Sequence, residues 1–290
     1  MEIVVIEPHG FCAGVTAALR KALALPAGGG AVYCLHELVH NEVVVDELKA
    51  RGFAFVESID EVPAGATVLF SAHGVSPAVR ERDRRRALNV VDATCPFVER
   101  VHKAARSFAE RGLSVVVIGH PSHAEVRGIV GEAPGARVIA GRDAALALPS
   151  AAGERIGVVS QTTMNADDVA ETLAALRSRF EVETTAAVCN ATRDRQRAVM
   201  AFRGDAVLVL GSANSSNTRR LCEVARCRAF RAGSLDEVKR LDLAGVETLG
   251  VTSGASTPES LFRAVVAWLR GREGEKDVNQ KAPRAVYPDR

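Results

Sequence analysis

Short apolar segments alternate with longer amphipathic segments along the whole chain. The segments 115–118 and 207–210 are apolar at every position, which is typical of parallel strands covered on both faces. This order predicts repeated β-α units joined by crossovers. We predict strands at 2–7, 31–35, 53–56, 67–71, 89–92, 114–119, 136–140, 155–160, 207–211, 229–231 and 248–252. We predict helices near 14–25, 40–51, 76–87, 96–112, 123–131, 142–148, 165–179, 192–203, 215–227, 234–241 and 257–270.

The spacing of the polar loops predicts a threefold repeat of small α/β units. Similar polar loops, 71–74, 119–123 and 211–217, each follow a predicted strand. Three cysteines at predicted strand-to-helix junctions divide the chain almost into thirds. The predicted fold is therefore α/β with mainly parallel sheets. Its units are predicted at 1–95, 96–188 and 189–270, followed by a polar tail at 271–290.

Composition excludes several functional classes. The 290 residues are 47% hydrophobic and 25% charged, and the net charge of +2 gives no reason to expect nucleic acid as a partner. The chain opens on an apolar strand without a secretory signal, and its apolar runs are too short to span a bilayer. We therefore expect a cytoplasmic protein with no membrane partner. Six cysteines are too few for a disulfide scaffold, so they are metal ligands, a catalytic group or core residues.

Three cysteines stand in unusual local sequences. Cys12 lies in G-F-C-A-G, Cys95 in A-T-C-P, and Cys189 in C-N-A-T. Thiolates that met in one crevice could hold an iron–sulfur cluster and leave one iron without a protein ligand. The alternative is that they are plain core residues. The remaining cysteines lie in ordinary surroundings and are interpreted as buried, inert thiols: Cys34, Cys222 and Cys227.

Histidines and hydroxyl-rich loops predict an anion site. His40, His73 and His123 each lie near a predicted helix start, where N–H groups favour phosphate or diphosphate. Each could instead be a structural histidine bonded to a backbone carbonyl, which is our interpretation of His36, His102 and His120. The loops 214–217 and 252–258 also suit an anion, although each could simply cap a helix.

A carboxylate lies two residues after one of these histidines. Glu125 next to a metal cluster and a bound anion would have a raised pKa and could donate a proton. Its alternative role is that of a first-turn acid that favours the helix dipole. Thr162 follows the strand predicted at 155–160 and offers a hydroxyl group near the same place.

Read together, these segments resemble a known family. G-F-C-A-G-V, H-E-L-V-H-N, F-S-A-H-G-V-S, D-A-T-C-P, G-H-P-S-H-A-E-V-R-G, Q-T-T, C-N-A-T-R-D-R-Q, G-S-A-N-S-S-N and G-A-S-T-P occur in the order found in the LytB-type family. Its members are 4-hydroxy-3-methylbut-2-enyl diphosphate reductases of the methylerythritol phosphate route to isoprenoids. The likeness runs from about residue 1 to 268. It implies three α/β domains in a pseudo-threefold cloverleaf around a central cluster.

The resemblance also implies roles for individual residues. It makes Cys12, Cys95 and Cys189 the ligands of a [4Fe–4S] cluster whose fourth iron takes the allylic hydroxyl group. Glu125 aligns with the acid that delivers the proton, and Thr162 with the hydroxyl that orients the substrate. The residues that align with diphosphate ligands are His40, His73, His123, Ser215, Ser216, Asn217 and Ser256. Two electrons would come singly from a ferredoxin or flavodoxin, and the products would be isopentenyl and dimethylallyl diphosphate.

The chain departs from the family pattern at a few positions. Arg127 stands where an acidic residue is commoner, and Asn190 and Arg193-Asp194 vary the context of the third cysteine. These changes leave room for a paralogue with a shifted substrate. Two other classes of function also remain open. One is a sensor that uses a labile cluster to report oxygen or iron, and the other is a hydro-lyase that needs no electrons.

Overall fold

A computed structural model describes residues 1–25, 31–149, 153–185 and 188–271. Its strands are β1 (Glu2–Val5), β2 (Val32–Leu35), β3 (Phe53–Val56), β4 (Thr67–Phe70), β5 (Asn89–Asp92), β6 (Ser114–Ile118), β7 (Arg137–Ile139), β8 (Arg155–Ser160), β9 (Glu181–Thr184), β10 (Ala206–Leu210), β11 (Arg228–Ala232) and β12 (Thr248–Ser253). Every strand predicted from the sequence is present. β9 is additional, and the sequence did not reveal it because Val182 is its only apolar residue.

The helices also follow the predicted order. They are α1 (Ala13–Leu23), α2 (Glu42–Ala50), α3 (Pro77–Arg85), α4 (Pro96–Glu110), α5 (Ala124–Glu132), α6 (Arg142–Ala147), α7 (Ala166–Arg177), α8 (Asn190–Ala201), α9 (Ser216–Glu223), α10 (Leu235–Lys239) and α11 (Glu259–Gly271). A short 3-10 helix, Ile59–Glu61, was not predicted. The predicted tail at 271–290 lies outside the described residues except for Gly271. Among the described residues, no helix is long and apolar enough to cross a bilayer.

The strands form three parallel sheets of four, so the predicted α/β class is confirmed. The sheet orders are β3-β2-β4-β5, β7-β6-β8-β9 and β11-β10-β12-β1. The strands of the last sheet are counted from β10, with β1 as the fourth. Each sheet then has the same order across it: second strand, first, third and fourth. The two central strands are therefore the first and third of each sheet, and the chain leaves them toward opposite edges. That place is the switch point at which open parallel sheets bind ligands.

The repeat is permuted along the chain. β1 pairs in parallel with β12, with Glu2 opposite Thr248, so it completes the sheet of the last third. The predicted unit 1–95 contains this strand because its boundary was taken from the position of Cys95. Nothing in four residues of apolar sequence identifies a partner more than 240 positions away. The other predicted unit boundaries remain predictions.

The polar loops also need one correction. The loops 119–123 and 211–217 follow β6 and β10, which are first strands of their sheets. The loop 71–74 instead follows β4, a third strand, and corresponds to the loops after β8 and β12. Each sheet therefore presents two polar loops at its switch point rather than one. Adjacent central strands bring both loops to the same edge of the sheet.

Burial on both faces explains the apolar central strands. In β6, Val116 and Ile118 belong to one core layer, and Val115 and Val117 belong to the opposite layer. The side chains of β10 alternate between two layers in the same way. Each buried aliphatic side chain contributes roughly 1.5–3 kcal/mol relative to an exposed one, so these sheets are held by helices on both sides.

Two compact units divide the chain. The first unit contains Met1–Ala13, His40–Glu47 and the described residues from Asn190 onward. The second unit contains Gly14–Val39 and Leu48–Cys189. The sheet that contains β1 lies in the first unit, and the other two sheets lie in the second.

Candidate active site

The three candidate cysteines occupy equivalent places in the three sheets. Cys12, Cys95 and Cys189 each follow the fourth strand of a sheet. In every sheet the cysteine N–H donates to a carbonyl oxygen two residues beyond the third strand. Those bonds run from Cys12 to Ala255 at 3.0 Å, from Cys95 to Ala72 at 3.0 Å and from Cys189 to Thr162 at 3.1 Å. The fold thus fixes three thiol positions by one repeated backbone bond.

The chemistry of these thiols fits a cluster ligand. A helix begins at the residue that follows each one, at Ala13, Pro96 and Asn190, and helix N-termini favour negative charge on sulfur. All three candidate cysteines are partly exposed, but so are Cys222 and Cys227, which we expected to be buried; only Cys34 is buried. The other three are poor ligands because burial raises the pKa of their thiols, to about 12 for Cys34, to about 11 for Cys222 and also above the ordinary value for Cys227.

In the described part of the chain, no three His, Cys, Asp or Glu side chains are grouped to bind one ion. A cube of iron and sulfide keeps its cysteine sulfurs farther apart than a single ion does, because each sulfur binds a different iron. The cluster ligation itself stays a prediction.

Glu125 and Thr162 meet across the switch point between β6 and β8. The Thr162 backbone N–H donates to Glu125 Oε1 at 2.7 Å, and its hydroxyl donates to Oε2 at 3.0 Å. Only 1% of Glu125 is exposed. Burial raises the pKa of this carboxyl to about 7, although both Thr162 bonds and the charge of His102 pull it down. Such a group could exchange a proton near neutral pH. A cluster and a bound anion were the expected causes of a raised pKa, whereas burial is the cause here, and the role of Glu125 as the acid stays a prediction.

His123 begins the helix that carries this acid. Its Nδ1 accepts a hydrogen bond from the Glu125 backbone N–H at 3.2 Å, so the imidazole is the N-cap of α5. An accepting Nδ1 means that the neutral ring has its proton on Nε2, which is then a donor for an anion. The ring of His73 lies edge-on to that of His123, with centroids 5.7 Å apart. Two of the three predicted anion-binding histidines are therefore neighbours.

The remaining predicted anion ligands lie in the first unit. Ser215 is the N-cap of α9, and its Oγ accepts from the Thr218 N–H at 3.3 Å. Ser216 is buried in the first turn. Ser256 Oγ donates to the carbonyl oxygen of His40 at 2.9 Å. The Ser256 bond joins the loop after β12 to the segment that contains His40, and the Glu42 N–H of that segment donates to Ser212 Oγ in the loop after β10 at 3.1 Å.

Asn217 has buried polar atoms without partners. Its side-chain Nδ2 and Oδ1 are both buried and lack hydrogen bonds among the described residues. Asn217 occupies the helix position that Glu125 has in the second unit. Glu125 is satisfied there by Thr162, whereas the equivalent of Thr162 in the first unit is Ala255, which has no hydroxyl group. A buried amide left open in this way is suited to a ligand.

Two residues that support these loops were given no role by the sequence analysis. Arg195 is almost fully buried, and its Nη2 donates to the carbonyl of Gly10, two residues before Cys12, at 2.8 Å. Gln161 was noted only as part of Q-T-T. Its Oε1 accepts from the His120 N–H at 3.1 Å, and its Nε2 donates to Thr163 at 2.8 Å. A buried arginine or glutamine gives no signal in a single sequence, because each also bonds a backbone group of a distant segment, Gly10 for Arg195 and His120 for Gln161.

Comparison with known proteins gives consistent results. The family model described as LytB protein matches residues 3–270. The 4-hydroxy-3-methylbut-2-enyl diphosphate reductase of Acidothermus cellulolyticus is 43% identical over 300 residues, covering 98% of this chain and 88% of that protein. The protein of the same name from Dechloromonas aromatica is 43% identical over 291 residues, covering 97% and 95%.

Solved structures show the same similarity. The structure of the E-1-hydroxy-2-methyl-but-2-enyl-4-diphosphate reductase from Plasmodium falciparum has a TM-score of 0.86 at 29% identity, covering 97% of this chain and 95% of that one. A structure described as the terminal enzyme of the non-mevalonate pathway has a TM-score of 0.65 at 31% identity, covering 93% and 99%.

Proposed function

The chain belongs to the LytB family, and from that premise we propose that it reduces 4-hydroxy-3-methylbut-2-enyl diphosphate to isopentenyl and dimethylallyl diphosphate. In this reaction the substrate takes up two electrons and two protons, its allylic C–O bond breaks, and water leaves. The observation that carries the proposal is the buried Glu125 carboxyl bonded to Thr162, with a pKa of about 7. A proton donor is what the departing hydroxyl group requires.

The hydrogen bonds of Glu125 determine where its proton lies. In the structure the Thr162 backbone N–H and hydroxyl both donate to Glu125, as they do to a carboxylate. When the carboxyl is protonated, Oε1 still accepts from the backbone N–H, so the acid proton would be on Oε2. The Thr162 hydroxyl would then accept from Oε2 and turn its own hydrogen outward. That hydrogen is the one available to the allylic oxygen of the substrate. Glu125 and Thr162 would therefore act together, with Thr162 orienting the substrate and passing the proton on.

The diphosphate is assigned to the polar loops at the switch points. Its proposed ligands are His40, His73, His123, Ser215, Ser216, Asn217 and Ser256. Three observations support this assignment. The N-terminus of α9 presents backbone N–H groups, the Asn217 amide is buried without a partner, and the tautomer of His123 leaves Nε2–H as a donor. Neutral donors of this kind bind a diphosphate by hydrogen bonds rather than by charge alone.

We further propose that Cys12, Cys95 and Cys189 hold a [4Fe–4S] cluster with one iron left for the substrate. When bound, the cluster supplies a Lewis acid for the hydroxyl group and delivers the two electrons one at a time. The equivalent backbone bonds of the three cysteines support a ligand set of this symmetry. A ferredoxin or flavodoxin as electron donor, and a cytoplasmic location, stay predictions.

Anaerobic turnover tests the function directly. Protein reconstituted with iron and sulfide should convert the hydroxylated diphosphate when dithionite and a viologen supply electrons. Absence of turnover despite a full cluster would refute the proposal, and tight diphosphate binding in that case would indicate a sensor. Product formation without any reductant would indicate a hydro-lyase instead.

Two pairs of variants connect the activity to named residues. Glu125→Gln should keep the cluster and lose activity about 100-fold or more, because its amide cannot donate an acidic proton. Glu110→Gln, which changes an exposed acid, should keep full activity. Cys95→Ser should lose the cluster and its spectrum, whereas Cys34→Ser should keep both because Cys34 is a buried, inert thiol.

A further inference from the structure

A buried ion pair lies behind the acid-bearing helix in the second unit. His102 Nδ1 on α4 is 3.0 Å from Glu132 Oε1 on α5, and Arg106 Nε donates to Glu132 Oε2 at 2.9 Å. The His102 and Glu132 side chains are 3% and 2% exposed. Burial would raise the pKa of Glu132, but the bonds and charges of His102 and Arg106 outweigh it and hold this pKa below the ordinary value. Glu132 is therefore a carboxylate, and His102 Nδ1 carries the proton that meets it.

The other edge of the imidazole is packed between two glycines. A Cβ added at Gly74 would lie 3.0 Å from His102 Nε2, and one added at Gly128 would lie 2.9 Å from Cε1. Gly74 follows His73, a proposed diphosphate ligand. Gly128 lies about one helical turn after Glu125, the proposed acid. The ring of His102 thus lies between the loop that contains His73 and the helix that carries Glu125.

The electrostatic surroundings of this ring are specific. The charged groups that face it are Glu132 and Glu125 from α5 and Arg106 from its own helix. Arg106 is influenced in turn by Glu99 and Glu110 of α4, which are farther along the same surface. His102 Nε2 is buried and has no hydrogen-bond partner among the described residues. A ring held at one edge by Glu132 and enclosed at the other by glycines has little freedom to move.

We propose that His102, held by Glu132 and Arg106, is a positioning residue that fixes the Glu125 helix against the His73 loop. This inference rests on the proposed reductase function. His102 touches neither substrate nor cluster in this role and acts through the elements on its two sides. Its loss should therefore affect proton delivery through Glu125 and diphosphate binding through His73 together.

His102→Asn is the first test. The asparagine amide can still donate to Glu132, but it removes the ring edge and its charge. We expect kcat to fall about tenfold or more, since small displacements of catalytic groups are costly, and KM to rise. The alkaline limb of kcat/KM should move to higher pH, because the charge that lowers the pKa of Glu125 is gone. Lys103→Gln removes a positive charge from the next position, which is exposed, and should match the wild type.

A second readout does not depend on turnover. The titration of the Glu125 carboxyl can be followed by difference infrared spectroscopy in the protein without cluster, with Glu125→Gln identifying the band. Its midpoint should move to higher pH in His102→Asn and stay unchanged in Lys103→Gln. If wild-type protein shows no turnover, the reductase function fails, and this midpoint still decides the role of His102.

Glu132→Gln keeps the His102 ring and one side-chain oxygen that can accept its hydrogen bond. This variant tests the positioning role if His102→Asn does not fold. Its kcat should fall less than that of His102→Asn and more than that of Lys103→Gln, because a neutral amide holds the ring less firmly. Wild-type kcat, KM and Glu125 titration in His102→Asn would overturn the proposal. So would a kcat of Glu132→Gln equal to that of Lys103→Gln.

Discussion

The backbone N–H of Cys189 donates to the carbonyl oxygen of Thr162 at 3.1 Å. The same threonine donates its own N–H and hydroxyl to the two carboxylate oxygens of Glu125. Thr162, in the loop after β8, therefore connects the proposed cluster ligand Cys189 to the proposed acid Glu125. The equivalent residues in the other two sheets are Ala72 and Ala255, so only the sheet with Glu125 has a hydroxyl group at this place.

Removing the Thr162 hydroxyl should separate the backbone bond that Thr162 makes to Glu125 from the proton transfer through its side chain. In Thr162→Val the backbone bond to Glu125 remains, while the bond to Oε2 is lost. The pKa of Glu125 should rise because that bond lowers it, and the proton should lose its route to the substrate. We expect kcat to fall about 100-fold or more with an intact cluster spectrum. Thr162→Ser should recover most of the rate, and equal rates for the valine and serine variants would argue against the relay.

The pH dependence of the rate should follow the protonation of Glu125. The acid must hold its proton to donate it, so kcat/KM should decrease as pH rises through about 7. Steady-state rates across this range, with the reductant kept saturating, provide the measurement. A rate that is flat between about pH 6 and pH 8 would contradict the assignment of Glu125 as the acid.

Glu125 should also make stability depend on pH. Its folded pKa of about 7 lies above the unfolded value of 4.5, so the folded state binds the proton more tightly. The resulting stability is fully present below about pH 4.5 and is lost as pH rises through about 7. The loss amounts to about 3 kcal/mol at most, by the linkage of pKa to free energy. Urea unfolding of the protein without cluster should show this slope, and Glu125→Gln should lack it while Glu110→Gln retains it.

Two helix caps offer a matched comparison. Ser215 Oγ accepts from the Thr218 N–H at the start of α9, and Ser234 Oγ accepts from the Glu237 N–H at the start of α10. Each Ser→Ala change should destabilise the protein by about 1 kcal/mol. Only Ser215→Ala should also raise KM for the diphosphate, because only Ser215 is a proposed ligand. Equal KM values for the two variants would remove Ser215 from the binding site.

Asn217 should show opposite effects on stability and on binding. Its amide is buried without partners, so Asn217→Ala removes polar atoms that folding leaves unsatisfied. The free energy of unfolding without ligand should therefore stay equal or increase. Affinity for the substrate, or for inorganic pyrophosphate as a probe, should fall about tenfold because a charge-assisted hydrogen bond is lost. Calorimetry measures both, and unchanged pyrophosphate affinity would contradict the assignment.

The six cysteines should separate into two classes of reactivity. In protein without cluster, iodoacetamide should modify Cys12, Cys95 and Cys189 first, because each directly precedes a helix start, where a thiolate is favoured. Cys34, Cys222 and Cys227 should react slowly, because burial raises the pKa of each thiol. Mass spectrometry of tryptic peptides resolves the sites. Reconstitution should protect the first class alone, and protection of any other cysteine would place the cluster elsewhere.

Much of the local structure could be predicted from the sequence. Apolar runs such as those of β6 and β10 identify central parallel strands, because both faces of such strands must be apolar. Caps such as Asn165, whose Oδ1 accepts from the Asp167 N–H, identify helix starts from a few adjacent residues. The family motifs then identify the candidate acid and thiols. These signals are local, so a single sequence contains them.

Other features exist only because distant segments meet. The pattern identified β1 as a strand but not its partner β12, and edge strand β9, with one apolar residue, is defined by its pairing with β8 alone. The pKa of Glu125 depends on burial and on a threonine 37 positions away, and the buried pair of His102 and Glu132 spans two helices. Residue types and their order determined the elements and the candidate chemistry. Only tertiary packing decided which groups lose water and which partners they find, and that determines their proton affinity.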